Sequence, residues 1–181
     1  MELNRYIACM CEGSAESAII DILLDNHLLV FERKDLLEEK PILRVSAKEF
    51  EKKYLRMGFK ELISLIRIID SRTEKFSLSA AYKHKVRVIN VITAPEIEKL
   101  IIIAEGKLKD YEKIRNSRKN QYKPSTYCKE VLHLKNVKKY DFVKDYFADS
   151  DKLVKAIKEY CRTSDVKQGE YTLADLLKEN K

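Results

Sequence analysis

The 181-residue sequence has few of the residues that break or cross-link a chain, with four glycines, three prolines and four cysteines. The low glycine and proline content excludes a collagen-like or linker-like protein. Charged residues interrupt every apolar run well before the roughly 18 to 20 residues that a membrane-spanning helix needs. Because 45% of the residues are hydrophobic, the chain can bury a core and is not a disordered tail. We expect a compact globular protein without a membrane segment.

The N-terminus and the cysteines indicate the cell compartment. Residues 1–5 have neither the basic region nor the apolar region of a secretory signal, so we expect a cytoplasmic protein. The cysteines do not have the spacing of a zinc site, and reduced thiols in or near the core are the favoured interpretation over a metal or disulfide role. They are Cys9, Cys11, Cys128 and Cys161.

The positive charge is concentrated in one segment. The chain carries a net charge of +7, and residues 113–139 hold nine lysines and arginines against one acid, Glu130. Tyr122, Tyr127 and Tyr140 lie among these cations. Cations mixed with aromatic rings suit phosphate backbones and unstacked bases, whereas a solvated helical surface is the alternative interpretation. The candidate nucleic-acid contacts are Arg72, Arg115, Arg118, Lys119, Lys123 and Lys129.

The first half of the chain alternates between strand-like and helix-like patterns. Apolar runs predict strands near residues 6–11, 28–31, 42–45, 62–69 and 86–92. Helical spacing predicts helices over 15–24, with Ser14 as the cap, over 47–58 after a capping box, and over 95–119.

The second half has helical patterns only, near 124–131, 140–147, 151–161 and 172–178. Repeated alternation of strands and helices followed by helices predicts an α/β protein. We expect a mostly parallel sheet flanked by helices, with an α-helical C-terminal extension. The expected division is an α/β core over residues 1–106 and a basic helical extension, packed on the core, over 107–181.

Acidic residues follow three of the predicted strands. They are Glu12 with Glu16, Asp70, and Glu96 with Glu98. Ligands of open α/β sheets bind outside the carboxyl ends of the strands, where these groups can converge. Several carboxylates in one crevice need a cation between them, and oxygen ligands favour Mg²⁺ or Mn²⁺. Taken singly, each acid can instead be a solvated turn residue or a helix-dipole partner.

Three segments of the sequence resemble the motifs of a known family. Cys11-Glu12-Gly13-Ser14-Ala15-Glu16 resembles the first motif of the TOPRIM fold, a glutamate and glycine turn with a second acid three residues further on. Ile68-Ile69-Asp70-Ser71-Arg72 resembles the second motif, and Thr93-Ala94-Pro95-Glu96-Ile97-Glu98 resembles a later turn and acid-bearing helix. Their order is similar to that of RloB-like proteins, small TOPRIM-related proteins of bacterial defence loci, over about residues 5–105.

The resemblance implies a four-stranded, largely parallel sheet and a divalent-metal site for phosphodiester chemistry. It implies that Glu12 is the general acid or base, that Asp70 binds metal and that Glu98 matches the acid of the later helix. The family has a second acid two residues beyond Asp70, where this chain has Arg72, and Glu74 lacks the family spacing. A second metal and catalysis itself therefore stay open.

Two functional hypotheses of different classes follow. In the first, the chain is a Mg²⁺- or Mn²⁺-dependent nuclease or phosphoryl-transfer effector of a bacterial defence or phage-conflict system. Glu12 and Asp70 are then its catalytic residues, and the metal ligands come from Glu12, Glu16, Asp70 and Glu98. In the second, a degenerate TOPRIM-like subunit binds DNA, RNA or a partner ATPase. A small-nucleotide-binding protein is a third alternative, and the sequence leaves homo-oligomer formation open.

Overall fold

The structure is a computed structural model, and it describes residues 2–56, 61–94, 96–119 and 121–178. One parallel sheet lies at its centre, with the strand order β2-β1-β3-β4. Nearly every residue of the two central strands is buried, as expected of strands covered on both faces. The predicted parallel sheet is therefore confirmed. The strands are β1 (Tyr6–Cys11), β2 (Ile42–Leu43), β3 (Ile63–Ile69) and β4 (Val86–Ile92).

Helices flank this sheet, and every regular element after β4 in the described chain is helical, which confirms the predicted α/β class. The short helix over Ala47–Phe50 is followed directly by a π-helical turn over Glu51–Leu55. Short 3₁₀ turns lie at Arg33–Asp35, Lys83–Lys85 and Leu173–Leu176. The α-helices are α1 (Ser14–Asp25), α2 (Ala47–Phe50), α3 (Lys99–Ala104), α4 (Leu108–Ser117), α5 (Pro124–Glu130), α6 (Tyr140–Tyr146) and α7 (Ser150–Thr163).

The two faces of the sheet are covered unequally. Successive strand side chains point to opposite faces, so Cys9 and Cys11 join the larger apolar cluster whereas Ala8 and Met10 join the smaller one. The larger cluster contains α1, α3 and the C-terminal helices, and the four cysteines are free thiols. The smaller cluster is covered mainly by Phe50 and its neighbours in α2 and the π-helical turn.

The C-terminal helices belong to the same apolar cluster as the strands. Helix α3 packs on α7, and α1 packs on α6. Ile102 and Tyr111, from opposite sides of the predicted boundary at residue 106, are both buried in that cluster. The division into a core and an extension stays a prediction.

The predicted helix over 95–119 is wrong in two respects, because α3 begins only at Lys99 and the helical run is interrupted at Gly106. Gly106 has a φ of +67°, its N–H donates to Ile103 O, and the Lys107 N–H donates to Ile102 O. These two bonds form the Schellman motif that ends many helices, and the positive φ favours glycine. Pro95, the predicted start of the helix, lies outside the described residues.

Other local predictions also need correction. Residues 28–31 form only an isolated bridge from Leu29 to Leu177, and not a strand. Gly13 caps α1, so Ser14 is the first helical residue. The Ser46 capping box is present, although the predicted helix end at Gly58 lies outside the described residues. Within the described ranges, no helix is both long and apolar enough to cross a membrane.

Candidate functional site

The turn after β1 brings two glutamates to the carboxyl edge of the sheet. Glu12 directly follows the strand, and Glu16 lies in the first turn of α1. A Cβ atom at Gly13 would lie 3.0 Å from Glu16 Oε2, so a side chain there would crowd this carboxylate. Glycine therefore allows the Glu16 carboxylate to fold back against the turn that carries Glu12.

Glu12 connects the ends of three strands. Its Oε2 accepts a hydrogen bond of 2.9 Å from the Asp70 backbone N–H, which follows β3. Its Oε1 accepts a bond of 3.0 Å from Arg44 Nη1, just beyond β2. Arg44 also pairs with Glu74 at 3.1 Å. These contacts fix the position of the Glu12 carboxylate relative to Asp70.

The turn before α3 supplies two buried carboxylates, Glu96 and Glu98. Glu96 Oε2 accepts a hydrogen bond of 3.1 Å from the Ser125 backbone N–H. Lys138 Nζ lies 3.4 Å from Glu96 Oε1 and 3.9 Å from Glu98 Oε1. Lys123 Nζ lies 3.6 Å from Glu96 Oε1. Cations from the basic segment therefore compensate the charge of these two acids.

A cavity of about 220 Å³, here called the acidic cavity, joins these groups. All five candidate acids line it, and so does Lys138. The expected convergence of the acids is therefore observed. The acids are Glu12, Glu16, Asp70, Glu96 and Glu98.

Burial and mutual repulsion change the protonation of these acids. Burial is the main cause that raises the pKa of Glu16, and the charges of Glu12 and Asp70 raise it further. Burial followed by the neighbouring Glu12 likewise raises the pKa of Asp70. Burial raises the pKa of Glu98 to about 7, although the Lys138 ammonium opposes this change. Carboxylates with raised pKa values in one cavity are stabilised by an added cation.

Glu96 behaves differently from its neighbours. Burial acts to raise its pKa, but the hydrogen bonds from Ser125 and the positive charge of Lys138 outweigh that effect and lower it. Glu96 is therefore the acid in the cavity whose charge is best compensated by protein groups.

The donor set fits a hard divalent cation in kind, because it consists of carboxylate oxygens. With the side chains placed as they are, no group of three His, Cys, Asp or Glu residues in the described chain is arranged to hold a metal ion. The charged group that contacts Glu96 and Glu98 is instead the Lys138 ammonium. A metal ion held by Asp70 and Glu98 would compete with that ammonium for the Glu98 carboxylate.

Arg72 does not point into the acidic cavity. Its Nε donates to Glu170 Oε1 at 2.7 Å, and its Nη2 donates to the Asp165 carbonyl at 2.7 Å. It therefore binds the C-terminal segment. Its predicted contact with nucleic acid stays a prediction.

The predicted basic contacts lie in different local environments. Lys123 reaches Glu96, Arg115 lines a separate cavity together with Arg72, and the Arg118 guanidinium lies 4.5 Å from the centre of the Tyr122 ring. Lys119 is exposed, with a φ of +51°. Some cations of the basic segment thus contact other protein groups, whereas others are exposed on the surface.

Lys129 lies in a groove of about 890 Å³, here called the basic groove, between α5 and α6. Lys135, Lys138 and Lys139 line the same groove, against a single acid, Glu130. Lys138 also lines the acidic cavity, so the two depressions adjoin.

The expected role of the tyrosine rings in base stacking is wrong for two of the three. Tyr122 and Tyr127 are buried, and their rings pack against each other edge to face. Tyr140 is partly exposed, and its hydroxyl donates to Asp21 Oδ2 at 3.0 Å. Aromatic residues spaced among cations fit a helix core equally well, so the sequence pattern could not distinguish the two roles.

Two site residues are absent from the sequence-based set. Lys138 counts in the sequence only toward the basic segment. The sequence does not single out Arg44, because it predicts a strand over 42–45, whereas β2 ends at Leu43 and leaves Arg44 just beyond it. Lys138 carries no site signal either, because the contact between its loop and Glu96 joins residues far apart in the chain.

Comparisons of the chain with protein-family models, with curated proteins and with solved structures find no match. The functional argument therefore depends on the geometry of the site.

The raised pKa of Glu98 predicts a pH-dependent stability. Between its ordinary value of 4.5 and about 7, the folded chain holds a proton that the unfolded chain has released. Stability therefore falls as pH rises through this window and then levels. Glu98→Gln cannot ionise, so it does not lose this stability. The difference in the free energy of unfolding, variant minus wild type, should therefore rise between pH 4.5 and about 7 by at most about 3 kcal/mol.

Urea unfolding in EDTA buffers from pH 4.5 to 8 measures this difference. Glu61→Gln is the control, because Glu61 is exposed and does not line the cavity. If the difference in the free energy of unfolding between Glu98→Gln and wild type stays constant with pH, the raised pKa of Glu98 is contradicted.

Proposed function

We propose that the chain is a divalent-metal-dependent phosphodiesterase that acts on nucleic acid. The observation that carries the proposal is the junction of two depressions of opposite charge. Five carboxylates line the acidic cavity, and the lysine-rich basic groove adjoins it at Lys138. A phosphate backbone held by lysines beside a cluster of carboxylates is the arrangement that metal-assisted phosphodiester cleavage needs.

The role of each residue follows from its surroundings. Glu12 is the acid or base: one of its oxygens is fixed by the Asp70 N–H, and the other contacts Arg44, whose side chain is half exposed. An exposed arginine can exchange a carboxylate for a substrate phosphate, which would free Glu12 to accept a proton. Asp70, with Glu16 or Glu98, would hold Mg²⁺ or Mn²⁺, which lowers the pKa of bound water and stabilises charge on a phosphoryl group.

Lys138 is placed to link binding with chemistry. Its ammonium contacts the acidic cavity, while its side chain is 59% exposed and lines the basic groove. A phosphate that binds in the groove draws this ammonium away from Glu96 and Glu98. Glu98 is then available to a metal ion, while Glu96 keeps its contact with Lys123, so substrate and metal would bind cooperatively.

The resemblance to RloB-like, TOPRIM-related proteins supports the same reaction class. It rests on the three acidic turns, each of which lines the acidic cavity through Glu12, Asp70 or Glu98. A role as an effector in bacterial defence or phage conflict rests on that resemblance alone.

A second candidate function is a catalytically degenerate subunit that binds nucleic acid or a partner ATPase. The observation that favours it is that Lys138 contacts Glu96 and Glu98, as an internal cation would, while Arg72 replaces the second acid of the family motif. Such a protein would use the basic groove without cleaving its ligand.

Substitution of the proposed catalytic residues separates the two candidates. Glu12→Gln and Asp70→Asn keep the side-chain shape and remove the negative charge, so each should lower Mg²⁺- or Mn²⁺-dependent cleavage at least about 100-fold. Cleavage of labelled single- and double-stranded DNA and RNA measures the effect. Glu61→Gln serves as the matched control, and thermal unfolding checks that every variant is folded.

Full cleavage by Glu12→Gln and Asp70→Asn would contradict the assigned roles. Binding without cleavage by the wild-type chain in both metals would favour the second candidate.

The basic groove predicts salt-dependent binding of nucleic acid. Lys135→Met and Lys139→Met each remove one exposed cation, so each should make the slope of log affinity against log salt shallower by about one. Fluorescence anisotropy of an uncleaved oligonucleotide in EDTA measures the slope.

Lys155→Met is the control for this experiment, since Lys155 is exposed on α7 and does not line the groove. A wild-type affinity that does not change with salt would overturn the assignment of the groove.

A further inference from the structure

A second cavity lies at the same edge of the sheet as the acidic cavity. It has a volume of about 260 Å³, below the roughly 300 Å³ at which pockets for drug-sized ligands begin. Three cations line it, Arg72, Lys99 and Arg115, and we call it the cationic cavity. Arg72 and Ala94 line this cavity, whereas Asp70 and Glu96, each two residues away, line the acidic one.

Lys99 is unusual because its ammonium is buried in the cationic cavity. Its side chain is 5% exposed, and its one ion pair among the described residues is a contact of 4.0 Å with Glu112 Oε1, at the limit for such a pair. The Tyr160 ring lies 5.3 Å from the ammonium. Burial of a lysine is costly when its charge is poorly compensated, so this position requires a functional or structural reason.

Arg115 adds a second positive charge with little compensation. Within the described chain its guanidinium makes no ion pair or side-chain hydrogen bond, although it lies close enough to Lys99 for the two charges to interact. Burial, with a smaller contribution from Arg115, lowers the pKa of Lys99, while Glu112 acts in the opposite direction. Two cations thus face one cavity, and Glu112 is the one carboxylate among the described residues that pairs with Lys99.

Arg72 lines the cavity on the side of the sheet edge. Its side chain donates hydrogen bonds to Glu170 and to the Asp165 carbonyl of the C-terminal segment. Asp165 lines the cavity as well, so not all of the surrounding charge is positive. A hydroxyl completes the set: Ser164 Oγ is buried and lies near the Tyr160 side chain, but it makes no hydrogen bond of acceptable geometry with the described residues. An unpaired buried hydroxyl beside two undercompensated cations is what an oxyanion site presents before its ligand binds.

We infer that the cationic cavity binds the phosphate group of a nucleotide or of a nucleic-acid end, through Lys99, Arg115 and the Ser164 hydroxyl. A phosphate would compensate both cations and accept the hydroxyl hydrogen bond. The inference does not require that any nucleic acid is cleaved. It would stand if the acidic cavity proved inactive.

Inorganic phosphate is the first probe. Isothermal titration of the full chain should show one binding site, and Lys99→Met should weaken binding at least about tenfold, because a charged donor is lost from a buried site. Arg115→Met should have an effect in the same direction. Lys99→Met removes a buried charge, so it should not lower the melting temperature, and this is measured in parallel.

A control and a diagnostic variant locate the site. Lys107→Met changes an exposed lysine between α3 and α4 and should bind phosphate as the wild type does. Lys135→Met reports on the basic groove instead. No binding by the wild-type chain at millimolar phosphate would overturn the inference. Equal affinity of Lys99→Met, Arg115→Met and wild type would overturn it too, as would loss of binding only in Lys135→Met.

The source of the phosphate is then identified with paired ligands. A nucleoside 5′-monophosphate is compared with its nucleoside, and a 5′-phosphorylated oligonucleotide with its 5′-hydroxyl form. The inference predicts that at least one phosphorylated ligand binds more tightly than its partner, and that Lys99→Met abolishes the difference. No difference in either pair would contradict it.

Discussion

Carboxylates held close together at the edge of a buried sheet repel each other, and positive charge must lie between them or against them. The acidic cavity meets this constraint with three protein cations, Arg44 at Glu12 and both Lys123 and Lys138 at Glu96. The compensation is uneven, because the pKa of Glu96 is lowered while burial raises the pKa of Glu98 to about 7. The charges of Glu16, Asp70 and Glu98 are therefore less well compensated than that of Glu96.

The C-terminal part of the chain supplies much of this compensation. The loop between α5 and α6 carries Lys138 to the sheet edge, and the Ser125 N–H at the start of α5 binds Glu96. The same loop lines the basic groove. The acidic cavity and the surface proposed to hold nucleic acid therefore share Lys138.

Much of the fold could be predicted from the sequence because its signals are local. The all-apolar runs of β1 and β3 and the capping box at Ser46 each depend on a few neighbouring residues. The Gly106 helix end was also encoded locally, but the apolar residues on both sides continue with helical spacing and hide it. Residues 28–31 resemble a strand, yet their partner is Leu177, almost 150 positions away, and only tertiary structure reveals that pairing.

Some residues of the candidate site could likewise be predicted from the sequence, whereas others could not. Convergence of Glu12, Asp70 and Glu98 could be predicted from their positions after parallel strands. The cations could not, because Lys138 and Lys99 acquire their roles from contacts with other elements of the fold. The buried tyrosine rings show the converse error, in which residues that suit a nucleic-acid surface instead pack in the core.

The central claim is that the acidic cavity is a cation site that Lys138 and a divalent metal ion share in turn. Titration of the full chain with Mn²⁺, followed by electron paramagnetic resonance of the free ion, tests it most directly. The account predicts one site per chain, weakened at least about tenfold by Asp70→Asn and made tighter by Lys138→Met, which removes the competing ammonium. Absence of Mn²⁺ binding at millimolar concentration, or equal affinity in all three proteins, would contradict it.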